Sequence, residues 1–243
     1  MNFKRSWIVF ILLFVYLLAG CTGTGGVGDM DKAEEKEIKE KAIRYIKDTY
    51  NKEYEVSDVT KDFLSGQIYT VEGNIKDDKN TYVAIIMEQN EIRDTYVETL
   101  WTEELKPKIT SLVQKHFDER KIEHIAYSNG PKKDKYTGEI PSVFEVLKNE
   151  GAPDYELIVK LRVYEQNGQY EKGIKSFLEE LKKLNFNHVG VTIFVADDEL
   201  KSAPKEAEES QYTLYRYNIS FEDIQNIDID HHDLDQYKTV IKE

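Results

Sequence analysis

Residues 155–196 constrain the fold more than any other stretch of the chain. Tyr155, Leu157, Val159, Leu161 and Val163 recur at every second position, the period of a strand with one face buried. Asn167-Gly168 then turns the chain, and Ile174, Phe177, Leu178, Leu181 and Leu184 lie on one stripe of a helix. His188 to Ala196 follows as a run rich in β-branched residues, a second strand. With a helix between them, the two strands fit a parallel crossover, which would be right-handed.

The rest of the chain supplies more helices and strands. From Asp31 to Tyr50, residues Ile38, Ala42, Tyr45, Ile46 and Thr49 share a helical face, with charges opposite. Strand patterns follow at 54–60, 67–75, 80–88 and 92–99, and Lys76 to Asn80 reads as a polar hairpin connection. Leu105, Ile109, Leu112, Val113, His116 and Phe117 mark a second amphipathic helix. A strand near 121–128 leads through a loop at 129–135 to a short helix bracketed by Pro141 and by Gly151-Ala152-Pro153. The acidic stretch 197–210, with Pro204, reads as an exposed loop, and Tyr212, Leu214 and Tyr217 fit a last strand. Ser220-Phe221-Glu222-Asp223 has the form of a capping box opening one turn of helix. The class implied is α+β, helices packed on mostly antiparallel sheet. The chain divides into 31–120 and 121–243 as two small subdomains, or runs as one continuous sheet. In element order alone, helix then strand meander, the first half is similar to cystatin-like and PepSY-like modules.

The N-terminus carries a different kind of signal. Lys4 and Arg5 precede an apolar run from Trp7 to Ala19, and Ala19-Gly20 stand directly before Cys21. A charged segment, an apolar segment and small residues in that order make a secretory signal peptide, and the run is too short for the ~20 residues that span a bilayer. Leu18-Ala19-Gly20-Cys21 resembles the lipobox of bacterial lipoprotein precursors. The resemblance implies cleavage after residue 20, a diacylglycerol on the Cys21 thiol and attachment to the outer face of the cell membrane. Two acyl chains suffice for stable anchoring. Thr22 stands where an Asp would retain a Gram-negative lipoprotein in the inner membrane, and 27 Lys against 6 Arg point to an AT-rich Gram-positive genome. Residues 21–30, Gly-rich, read as a tether between lipid and domain and not as a phosphate loop, since no strand precedes them.

Cys21 is the only cysteine. Once it carries lipid, thiol catalysis, Cys-ligated zinc and disulfides are excluded from the rest of the chain. The formal charge is −13, and removing residues 1–20 takes away Lys4 and Arg5, giving −15. A field of that sign repels nucleic acid, so nucleic-acid binding is not expected. It suits a cation, a basic partner or simply a soluble surface.

The densest set of metal-ligand side chains is Asp228, Asp230, His231, His232 and Asp233. Carboxylates and imidazoles bind zinc, manganese or nickel, although the spacing matches neither an EF-hand nor His-Glu-x-x-His. His116, His124 and His188 fall in apolar or strand patterns and read as satisfied structural histidines. No Gly-x-Ser-x-Gly elbow is present, so no catalytic residue is nominated, and apart from that divalent metal no cofactor is expected. Tyr82, Tyr96, Tyr155, Tyr164, Tyr212, Tyr215 and Tyr217 fall in predicted strands. The last of these strands offers Tyr and Arg216 either to sheet packing or to a partner. Three classes stand open: a surface-tethered, non-enzymatic binding module with an envelope protein partner; a metal-dependent envelope hydrolase using 228–235; and a solute receptor for a transporter.

Overall fold

The computed structural model describes residues 30–62, 67–89, 91–149, 151–204 and 206–242. The predicted signal peptide, Cys21 and nearly all of the tether lie outside the described residues. Helix α1 (Lys32–Tyr50) leads into strands β1 (Tyr54–Lys61), β2 (Ile68–Ile75), β3 (Thr81–Glu88) and β4 (Glu91–Asp94), an antiparallel sheet in chain order. Helix α2 (Tyr96–His116) leads to a second sheet of β5 (Glu119–Ser128), β6 (Glu156–Tyr164), β7 (His188–Ala196), β8 (Thr213–Phe221) and β9 (Lys238–Val240). Helix α3 (Val143–Asn149) lies between β5 and β6, and α4 (Gln169–Lys183) between β6 and β7. β6 and β7 are parallel, and the remaining neighbours in both sheets pair antiparallel. The α+β class is the one the sequence predicts, and the 155–196 segment is a parallel crossover.

Local chemistry explains where the elements begin and end. Asp31 accepts from the N–H groups of Ala33 and Glu34, both at 2.8 Å, capping α1. Asn51 closes that helix in the left-handed region (φ 55°), its N–H returning to the Lys47 carbonyl. In the β2–β3 hairpin the Asp77 carboxylate accepts from Lys79 N and Thr81 N, the local bonding that favours Asp in turns. Gly73 permits a close crossing: a Cβ there would stand 2.3 Å from the Glu55 carbonyl oxygen. The space is taken by Tyr54, whose hydroxyl lies 3.0 Å from the carbonyls of both Val71 and Val83.

Three sequence expectations need correction. The strand predicted at 92–99 stops at Asp94, and Tyr96 opens α2. Tyr96, Val97, Trp101, Leu105 and Ile109 are buried at helical spacing, so tertiary burial overrides the β preference of the Tyr-Val pair, and the helix continues through Pro107. The capping box at 220–223 does not form, because β8 runs on to Phe221. Asp223 instead caps the short 3-10 turn Ile224–Asn226, accepting from Gln225 N. Of the tyrosines assigned to strands, Tyr96 starts a helix, Tyr155 precedes β6 and Tyr212 ends a 3-10 turn.

Helix α2 is the shared element of the core, packing against β3, β5 and α4. The chain leaves the first sheet at Asp94 and enters the second at Glu119, and most of their buried residues belong to one continuous apolar cluster. At Gly173, α4 comes close enough to the end of α2 that a Cβ would stand 2.5 Å from the His116 carbonyl oxygen. Among the described residues no helix is long and apolar enough to cross a membrane.

Candidate functional site

Beside its buried stripe, α2 carries a second stripe of Thr99, Thr102, Lys106 and Thr110. These residues form one wall of an open groove of about 560 Å³ whose other wall is β5, residues 122–128. β5 is the edge strand of its sheet, so main-chain groups on its outer side have no strand partner. Thr102 answers one of them: its hydroxyl accepts from Tyr127 N at 2.8 Å. Register shifts between Glu119 and Lys121 and between Ile122 and His124 interrupt the β5–β6 pairing. Bulges of this kind protect an edge from indiscriminate strand pairing. What remains is a channel of mixed character, lined by hydroxyls, the Lys106 ammonium, the His124 imidazole and the carboxylates of Glu98 and Glu103 together with the apolar side chains of Ile122, Ile125 and Ala126. Over residues 122–128 the strand wall is ~20 Å long, and such walls recognise a partner by hydrogen bonds and charge.

One end of the groove is Glu98, which also belongs to a partly buried junction of three carboxylates. Asp94, the last residue of β4, accepts from the hydroxyls of Tyr45 (2.6 Å) and Tyr50 (3.0 Å) of α1 and from Tyr96 N (2.9 Å). Glu98 accepts from the Ser128 hydroxyl and from Asn129 N, both at 2.9 Å, at the end of β5. Asp134 accepts from the Tyr155 hydroxyl, just before β6, and from Tyr136 N at 2.8 Å. Hydroxyls, an amide and main-chain N–H groups serve all three, with no ion pair to any of them among the described residues. Burial pushes the carboxyls of Glu98 and Asp134 above the ordinary carboxylate range, and the nearby charge of Asp94 adds to both shifts. Burial and the Asp134 charge together hold the Tyr155 phenol protonated.

A second polar cluster lies on the face of the five-stranded sheet opposite α4. Arg162 is 7% exposed. It donates from Nη1 to the Thr213 hydroxyl at 2.7 Å, and its guanidinium sits 5.0 Å from the centre of the Phe194 ring. Glu123 and Glu209 face it at 3.6 and 3.3 Å. The same two carboxylates take Lys160 (3.1 Å), Lys121 (2.6 Å) and Arg120 (3.1 Å). Hydrogen bonding from Lys121 holds the Glu209 carboxyl low.

The structure does not gather the residues nominated for metal. Among the described residues, no group of three or more His, Cys, Asp or Glu side chains is placed to hold an ion. Asp228 and His231 pair with each other at 3.0 Å, both exposed. His232 turns inward instead, its ring stacked 5.7 Å from Tyr237 and edge-on to Phe221, with Nε2 3.0 Å from the Tyr237 hydroxyl. Asp233 accepts from Asp235 N, and the Asp230 main-chain carbonyl takes Lys175. The reason is hydrophobic: Ile229 and Leu234, at 0% and 7% exposure, anchor the segment to the core and split the ligands between two sides. Replacing His231 by alanine is therefore expected to change stability by less than about 0.5 kcal/mol, whereas His232→Ala costs about 1–2 kcal/mol through lost ring contacts, compared by urea unfolding. Equal effects would contradict the split.

Of the three other histidines, His124 is exposed on β5 and lines the groove, and His188 begins β7. His116 is not satisfied as expected: its Nε2 is buried without a hydrogen-bond partner, and burial, with Lys115 beside it, lowers its affinity for a proton. Sequence reading misses the groove and the carboxylate junction alike. Only the Thr stripe on α2, at helical spacing beside the apolar one, could have announced the former.

No family model and no curated protein matches the sequence. A crystal structure of a DUF5037 family protein from Ruminococcus gnavus is similar at a TM-score of 0.41 and 12% identity, over 79% of this chain and 96% of that one.

Proposed function

We propose that this is a lipid-anchored extracytoplasmic protein, held to the outer face of the cell membrane through Cys21, that acts as a non-enzymatic binding module. The observation that carries the reading is Leu18-Ala19-Gly20-Cys21 placed directly after a basic start and an apolar run, with Cys21 the only cysteine. A tethered domain meets its partner through surface, and the groove between α2 and β5, walled by an edge strand, suits an extended segment of an envelope protein. Its hydroxyls and charged groups offer hydrogen bonds, and Ile122, Ile125 and Ala126 offer apolar contact. The metal-dependent hydrolase loses its support with the divided ligands at 228–233.

Cell fractionation tests the anchoring. The wild-type chain is expected in the membrane fraction, resistant to high salt and released by detergent, while Cys21→Ser shifts most of the protein out of the salt-washed membrane. Retention of the variant at the wild-type level would sink the proposal.

A further inference from the structure

The outer faces of the two sheets carry opposite charge. On the second sheet, strand register lines up Lys121, Arg162, Phe194, Arg216 and Thr239 in one row across all five strands. Lys160 stands in the next row, and its ammonium and the Arg162 guanidinium lie 5.3 and 5.0 Å from the centre of the Phe194 ring. Glu123 and Glu209 answer Lys121, Lys160 and Arg162, while Glu156 stands at the far end of β6. Arg216 is left over. It is half-buried opposite Phe194, its Nε has no hydrogen-bond partner, and among the described residues no carboxylate lies within ion-pair range of it. An arginine fork beside an aromatic ring, in a chain of net charge −13, fits a carboxylate brought by another molecule.

The first sheet is the reverse. Helix α1 packs on β1 and β2 and α2 packs on β3, over the side where Val71, Val83 and Ile85 are buried. The alternate positions face away from both helices: Asp58 opposite Glu72, Glu88 opposite Glu91, and Tyr82, which is 48% exposed. Glu55, paired with Lys76 at 3.1 Å, and Arg93 share that face. Like charges directly opposite each other across a ladder destabilise a sheet. Among the described residues, Asp58, Glu72, Glu88 and Glu91 have no cation in ion-pair range to offset that cost.

We propose that the Arg162–Phe194–Arg216 face of one copy docks on the Asp58–Glu72–Tyr82 face of a second copy, head to tail. Arg216 then supplies the cation that the opposed carboxylates of β1 and β2 lack, and the Tyr82 ring adds a cation–π contact. Because the two faces differ, the contact is heterologous, and each copy can hold a neighbour on either side. Each face measures roughly 500–700 Å², the low end for a specific interface, so the association is weak and reversible. It needs neither the lipid on Cys21 nor the α2–β5 groove.

Sedimentation equilibrium of the full chain in density-matched detergent tests the contact. Wild type is expected to associate reversibly as its concentration rises. Arg216→Glu and Glu72→Arg each weaken that association about tenfold or more, since each sets like charges face to face. Glu72→Arg at the same time raises the urea midpoint, because it turns the Asp58 pair from repulsion to attraction. An equimolar mixture of the two variants associates again, each supplying the face the other lacks. Should Arg216→Glu fail to fold, Arg216→Gln takes its place, with the same loss and the same recovery expected. A monomeric wild type, an association indifferent to both substitutions, or a mixture that stays monomeric would overturn the proposal.

Discussion

Replacing Trp101 by alanine is expected to cost about 4 kcal/mol of folding stability, a large part of the ~5–15 kcal/mol that holds an ordinary domain together. Trp101 is 1% exposed. Its ring lies 4.8 Å from those of Tyr136 and Tyr155 and 6.0 Å from that of Tyr127, while Nε1 donates to the Pro141 carbonyl at 2.9 Å. Truncation opens a cavity among three aromatic rings and leaves that carbonyl without its donor. It also frees the 136–142 segment from α2, which Glu104 otherwise shares in holding through Ser142 and Val143 N. Trp101→Phe keeps most of the volume and loses chiefly the hydrogen bond, for about 1–2 kcal/mol. Denaturant midpoints followed by circular dichroism compare the three proteins. Trp101→Ala within about 1 kcal/mol of wild type would mean that the aromatic cluster does not carry the junction.

Arg162→Met ranks next, at about 2–3 kcal/mol, below the ~3–5 kcal/mol typical of a buried ion pair stripped of one partner. The discount follows from what stays behind. Glu123 keeps Lys160, and Glu209 keeps Lys121 and Arg120, so neither carboxylate is left bare. The Thr213 hydroxyl loses its donor and Phe194 its cation. Adding Glu209→Gln to Arg162→Met is expected to cost less than the sum of the two single losses, since each single change already removes the 3.3 Å contact between the two side chains. Strict additivity in the cycle would show that the Arg162–Glu209 contact adds nothing to stability.

Most of the fold was legible where burial imposes a clean period. His188 to Val195 alternates inward and outward without a break, and α4 keeps its stripe from Tyr170 to Leu181. Legibility fails where an element is short or its ends are chemically ambiguous. β9 has three residues, Lys238, Thr239 and Val240, too few to show any period. Tyr96 and Val97 favour strand locally and become helical because α2 buries them both. The site is harder to read than the fold, because function lies in what folding brings together. Asp94, Glu98 and Asp134 come from a strand end, a helix and a loop, and nothing in their local sequence marks them. The opposite error occurs at 228–233, where ligands crowd in sequence and part in space, driven by Ile229 and Leu234.

Attachment through Cys21 is the claim on which the functional reading turns. The most direct measurement is the mass of the N-terminal peptide of the protein purified from its own membrane. The predicted result is a peptide beginning at Cys21 and heavier by a diacylglycerol on that thiol, with or without a further acyl chain on the new amino group. A mature chain that begins at any other residue, or a Cys21 without lipid, would contradict it.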